Sequence, residues 1–150
     1  MPLENIVMDK LKQAMRDKDD AALRTLRAIK AAILVEKTAS GAKEELTEAD
    51  ELKLLQKMSK QRKDSLEIFN TQNRPDLAVK EEEELAIIEQ FLPQQLSGDE
   101  LNAKIAEIIA ATGATSPADM GKVMGAANKQ LAGQADGKLI AEAVKTLLAK

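Results

Sequence analysis

Residues 116–131 read SPADMGKVMGAANKQL. Ser116 is a helix-capping residue type, Pro117 suits a first helical position, and Asp119 places an acid in the first turn. Met120, Val123, Met124, Ala127 and Leu131 then recur at steps of three and four, which puts them on one side of a helix. The segment reads as a capped amphipathic helix, and the same grammar extends in both directions.

Downstream, Asp136 caps a last helix with Leu139, Ile140, Ala143, Val144, Leu147 and Leu148 inward. Upstream, Ser97 and Glu100 form a capping box before Leu101, Ile105, Ile108 and Ile109. Pro93, within Leu92–Ser97, ends the preceding helical pattern, because proline disfavours the helical region for the residue before it. A domain boundary is placed there, giving domains 1–93 and 94–150.

The first part carries a helix over Leu3–Met15, with Ile6, Val7, Leu11, Ala14 and Met15 near helical spacing. A second runs from the Asp17–Asp20 caps to about Thr38. Leu23, Leu26, Ile33 and Leu34 share one arc, and Ala21, Ala28, Ala32 and Val35 make the far side apolar too. Such a helix is expected to be sandwiched between others. Ser40–Lys43 reads as a loop. Thr47 and Asp50 cap a long helix to about Asn70, with Leu52, Leu55, Met58, Leu66 and Phe69 inward. Asn70–Pro75 breaks the pattern before a helix to Leu92 lined by Leu77, Leu85, Ile88 and Leu92. The expected fold class is all-α: a multihelical N-terminal domain of about four helices and a small three-helix C-terminal domain.

Composition agrees. Among 150 residues there are 24 Ala, with Leu, Lys, Glu and Gln abundant, and these are strong helix formers. The chain has no His and no Cys, so the commonest general base, metal ligand and thiolate nucleophile are all missing. No metal site and no cofactor are expected. Phe69 and Phe91 are its only rings, so stacking platforms for bases are nearly excluded. No apolar run approaches the ~20 residues of a membrane span. The opening MPLENIVMDK lacks a basic start followed by an apolar stretch. A soluble, cytoplasmic protein with no membrane partner is the expectation.

The net charge is -3. Residues 1–92 hold all of it, with 16 basic against 19 acidic side chains, whereas residues 93–150 balance six against six. General coating of nucleic acid is therefore not expected, but local basic faces exist. Lys122 and Lys129 lie seven apart, opposite the Met120–Leu131 stripe, with Gly125 and Ala126 between them. Lys138 and Lys145 repeat that arrangement on the last helix. Four ammonium groups around small residues suit a phosphate backbone, since lysine binds phosphate as a point charge and small side chains allow close approach. The plainer account is a solvated surface. Gly133 and Gly137 flank the start of the last helix, where free N–H groups favour an anion, although Asp136 competes for them.

A second basic group comprises Lys53, Lys57, Lys60 and Lys63. Lys30 and Arg62 fall on apolar lines and need partners or water. The run Lys80–Glu84 offers acids for salt bridges, which is preferred to RNA contact for this group. No residue pattern supports catalysis: Ser40, Ser59, Ser65, Ser97 and Ser116 have no His to activate them.

Five segments together resemble the GatB/YqeY family: LRTLRAIKAAI (23–33), KQRKDSLEIF (60–69), EEELAIIEQFLPQQLS (82–97), PADMGKVMG (117–125) and GQADGKLIAEAVKTLL (133–148). The resemblance implies a multihelical N-terminal domain and a C-terminal domain similar to the tail of the B subunit of the tRNA-dependent amidotransferase, a tail that helps hold tRNA. It also brings the family label of a carbon–nitrogen ligase with glutamine as amido-N-donor. No segment resembles that enzyme's catalytic body. The family pattern places a basic residue where this chain has Gln134, which removes one charge from the candidate RNA-binding set of Lys122, Lys129, Gln134, Lys138 and Lys145. Three functions are thus expected in order: a non-catalytic accessory protein that binds tRNA or a tRNA-processing enzyme, a protein–protein adaptor without RNA contact, and a component with amidotransferase activity.

Overall fold

The computed structural model describes residues 2–39, 41 and 45–149. Ser40, Ala42 and Lys43 of the expected Ser40–Lys43 loop lie outside the described residues. Regular structure among the described residues is entirely helical, in the order α1 (Leu3–Asp17), α2 (Asp20–Ala39), α3 (Glu48–Thr71), α4 (Pro75–Glu89), α5 (Gly98–Thr112), a short 3-10 turn (Pro117–Asp119), α6 (Met120–Gln130) and α7 (Gly137–Leu148). The chain is all-α. Its contacts divide it into two compact units, 1–92 and 93–150.

In the first unit the local chemistry sets the helix ends. The Asp19 carboxylate accepts from Ala22 N–H at 3.0 Å, opening α2. Thr47 and Asp50 form a reciprocal capping box at the start of α3, and Pro75 occupies the first turn of α4. Lys18 ends α1 in the left-handed region at φ 54°. α3 runs along α4 and α1 along α2, while α2 also packs on α3 and α4. Val7, Leu11, Leu26, Ile29, Ile33, Leu55, Met58 and Ile88 fill the interior. The buried Thr25 is satisfied within its own helix, its hydroxyl donating to the Ala21 carbonyl at 2.8 Å.

Two expected inward positions, Met15 and Leu34, face outward, and so does Val35 on the far side of α2 that was expected to be covered. Met15 is 51% exposed, Leu34 49% and Val35 65%. α1 buries Leu3, Val7, Leu11 and Ala14, and α2 buries Thr25, Leu26, Ile29 and Ile33. Each is one narrow strip, so Met15 and Leu34, a further 100° round the helix, miss the core. α2 is consequently not covered on all sides. α4 ends at Glu89 rather than Leu92, with Phe91 and Leu92 packed partly against the core beyond it.

The apolar-line charges resolve differently from one another. Arg62 meets Glu84 of α4 at 3.3 Å, and Arg24 of α2 meets Glu84 at 3.0 Å and Glu83 at 3.2 Å. Lys30, expected to be salt-bridged, is half-buried and makes no ion pair among the described residues. A lysine stem can cover apolar surface while its ammonium stays in water, so no partner is required.

In the second unit Ser97 and Glu100 form the capping box of α5, and Gly113 ends it at φ 72°. Three helices pack pairwise around Leu101, Ile105, Ile108, Val123, Ala127, Leu131, Ile140, Val144 and Leu148. Ser116 opens the 3-10 turn rather than α6 itself. The Asp119 carboxylate turns back to accept from Thr115 N–H at 3.0 Å and Ser116 N–H at 3.3 Å. Leu139, expected inward, is 50% exposed, because the buried strip of α7 runs through Ile140, Ala143, Val144 and Leu148 instead.

Candidate nucleic-acid interface

The buried residues of α6 are Val123 and Ala127, and those of α7 are Ile140, Ala143, Val144 and Leu148. At 100° per residue, this sets Lys122 and Lys129 on the outer side of α6, and Lys138 and Lys145 on the outer side of α7. All four lysines are exposed, and none makes an ion pair among the described residues. α6 and α7 pack against each other.

Two acids enter this surface that the lysine spacing alone did not reveal. Glu142 is exposed and lies between Lys138 and Lys145 on the same side of α7, four and three residues from them respectively. Asp119 sits three residues before Lys122. Its carboxyl is held below the ordinary aspartate range, first by the Thr115 and Ser116 N–H groups and then by the nearby Lys122 charge. Both acids reduce the field that the four lysines present.

The small residues proposed for close approach divide. Gly125 and Gly137 are exposed, and a Cβ at either would meet nothing within 4 Å. Ala126 is half-buried against the core, and Gly133 is buried in the left-handed region at φ 78°. Gly133 therefore serves the turn rather than an open surface. The Asp136 carboxylate accepts from Lys138 N–H at 3.1 Å, so this helix start caps itself instead of offering that amide to an anion.

The α6–α7 turn is also held by the segment before α5. Leu96 N–H donates to the Gln134 carbonyl at 2.9 Å, and the Gln95 side-chain Nε2 donates to the Gly133 carbonyl at 2.6 Å. Gln134 N–H donates to the Leu131 carbonyl at 2.9 Å. These bonds use only the Gln134 backbone. Gln95 is not among the residues the sequence singles out; its place two residues after Pro93, in a stretch without helical period, is the signal that points to it.

In the first unit, Lys53, Lys57 and Lys60 are exposed along α3 and Lys63 is half-buried, with no ion pair to the acidic α4 among the described residues. Among the described residues, Arg62 is the basic side chain of α3 that reaches Glu84. A small hollow lined by Glu4, Asn5, Ile33, Lys37, Glu45 and Glu51 has three of its polar side chains engaged by the fold, with Lys37 paired to Glu4 and Glu51 accepting from Leu3 N–H at 2.9 Å. Among the described residues no cluster of three or more His, Cys, Asp or Glu could hold a metal ion, and no helix is long and apolar enough to cross a membrane.

The model of the family described as Yqey-like protein matches residues 4–148. The chain belongs to the YqeY-like family. This YqeY-like protein is 33% identical over 95 residues to protein C22F3.15 of Schizosaccharomyces pombe, a match covering 63% of this chain and 76% of the relative. It is 37% identical over 101 residues to "Altered inheritance of mitochondria protein 41, mitochondrial" of Lachancea thermotolerans, covering 66% of this chain and 54% of the relative. The protein of the same name from Pyrenophora tritici-repentis is 36% identical over 92 residues, covering 59% and 50%. This YqeY-like chain thus spans about half the length of the two relatives named as mitochondrial.

Proposed function

We propose that this YqeY-like protein is a non-catalytic accessory protein, acting in the cytoplasm, whose 93–150 unit binds tRNA through phosphate contacts from Lys122, Lys129, Lys138 and Lys145. The supporting observation is the exposure of all four ammonium-bearing side chains on the outer sides of two helices packed together, without ion pairs among the described residues. Lysines at helical spacing neutralise phosphates without reading bases. With two phenylalanines and no Trp or Tyr, base stacking contributes little, so the binding is electrostatic and tolerant of sequence.

The test replaces Lys122, Lys129, Lys138 and Lys145 with Glu and measures tRNA affinity at low and moderate salt. Four phosphate contacts correspond to a log–log salt slope of about 3 for the unaltered chain, and the variant should lose both the affinity and the slope. Equal affinity and slope in the two proteins would refute the reading.

A second reading, a protein–protein adaptor, draws on the exposed Leu34 and Val35 of α2. It predicts a protein partner whose capture survives nuclease treatment and is lost in Leu34→Ser. The ligase activity of the family label has no nucleophile or base of imidazole or thiol type in this chain. Glutamine- and ATP-dependent amide formation by the purified protein would overturn the non-catalytic reading.

A further inference from the structure

The exposed side of α3 carries Lys53, Lys57, Lys60, Asp64, Glu67 and Thr71 at alternating steps of four and three. They form one straight stripe, opposite the buried Leu55 and Met58. Its first half is cationic and its second half anionic. None of the five charged side chains makes an ion pair among the described residues.

The stability of α3 itself does not account for this order. A helix favours acids towards its start and bases towards its end, and an acid preceding a lysine by four is the better arrangement. Glu48, Asp50 and Glu51 do open α3 in the favoured sense, but on its later turns Lys60 precedes Asp64 and Lys63 precedes Glu67, and the last turn holds no basic residue. The arrangement acquires a use when a second copy is added.

We propose that this stripe is a self-association surface, on which the α3 helices of two copies lie antiparallel about a two-fold axis at the height of position 62 along the helix. In that register Lys60 faces Asp64, Lys57 faces Glu67 and Lys53 faces Thr71, because each pair is spaced evenly about that position. The symmetry makes every contact twice, giving four ion pairs. A parallel arrangement would set lysine against lysine and acid against acid, so the charge order selects the orientation. Exposed ion pairs are individually weak, so the dimer is a weak and salt-sensitive one. This inference does not depend on the RNA reading, which concerns α6 and α7.

The experiment is analytical ultracentrifugation of the full chain at about 30 mM and about 500 mM salt, with circular dichroism confirming the helices. The unaltered protein should dimerise at low salt and dissociate at high salt. The triple variant Lys53→Glu, Lys57→Glu, Lys60→Glu carries an all-acidic stripe, and the double variant Asp64→Lys, Glu67→Lys an all-basic one. Each alone should dimerise at least about tenfold more weakly, and an equimolar mixture should recover a salt-sensitive heterodimer. A monomeric unaltered chain at low salt, or a dimer indifferent to both variants, overturns the proposal. Loss of tRNA binding in the triple variant without any self-association of the unaltered chain would also overturn it and assign the stripe to RNA.

Discussion

The Arg62 guanidinium, on the apolar side of α3, meets the Glu84 carboxylate of α4 at 3.3 Å, and both side chains are less than one-fifth exposed (19% and 15%). Arg62 Nε is buried without hydrogen-bond geometry, so the pair is held by charge at close range rather than by a well-aligned bond. Glu84 also accepts from Arg24 Nε at 3.0 Å, which raises the arginine's already high pKa. One carboxylate therefore ties three helices, and its loss leaves Arg62 without its acidic partner while Arg24 keeps Glu83.

Glu84→Gln should destabilise the first unit by about 1–3 kcal/mol, the range for leaving a buried polar partner unsatisfied. Adding Arg62→Met should recover part of that loss, since an apolar side chain needs no counter-charge. Urea denaturation of the two single variants and the double variant measures the coupling, and strict additivity would show that the contact contributes nothing.

Glu81 lies next to this network. Burial pushes its carboxyl above the ordinary glutamate range, and the Glu84 charge adds to the rise, while Arg62 and Arg24 oppose it. The folded protein thus holds that proton more tightly than the unfolded chain, so ionised Glu81 costs stability above its raised pKa and the cost vanishes as the pH falls below the ordinary range. Glu81→Gln should raise the melting temperature at pH 7, with the advantage disappearing in acid. A constant difference across pH would contradict it.

Asp119 has the opposite sign. The Thr115 and Ser116 N–H groups lower its pKa, so the stability it confers is present above the ordinary aspartate value and is lost as the pH falls through the lowered one. Asp119→Ala should melt earlier than the unaltered chain at neutral pH. The two melting curves should converge on acidification, as thermal scans over a pH series would show.

Gly133→Ala forces a Cβ into the left-handed region at φ 78°, at about 1–2 kcal/mol. Gln95→Ala removes the side-chain donor to the Gly133 carbonyl, at about 0.5–1.5 kcal/mol. Both should increase amide hydrogen exchange in the α6–α7 turn. Protection equal to that of the unaltered chain would show that the segment before α5 does not hold the turn.

Gln134→Lys should tighten tRNA binding and steepen the salt slope by about 0.7–0.9, one phosphate's worth. Only the Gln134 backbone is used by the turn, so the new side chain should be accommodated without loss of stability. An unaltered slope would show that position 134 does not reach the RNA.

The all-helical class was legible in the sequence because helix formation is local: caps such as Ser97 with Glu100 and Thr47 with Asp50, and runs at three-and-four spacing such as Met120, Val123 and Ala127, carry their own instructions. The same reasoning placed Met15, Leu34 and Leu139 inward, and they are exposed. Periodicity specifies a broad arc, whereas the packing partner decides which narrow strip of that arc is covered. The candidate site was legible to the same extent: the lysine spacing fixed which side of α6 and α7 each charge occupies, but the field there also depends on Glu142 and Asp119, which share those surfaces.

By itself, then, the sequence determined the helices, their caps, the break at Pro93 and the absence of imidazole and thiol chemistry, all of which depend on residue type and near neighbours. Only the tertiary structure decided that Arg62 rather than Lys30 takes an acidic partner, that Gly133 is buried in a turn held by Gln95, and that α2 leaves Leu34 and Val35 in water. Those outcomes join residues tens of positions apart, and no local spacing encodes which distant surface arrives.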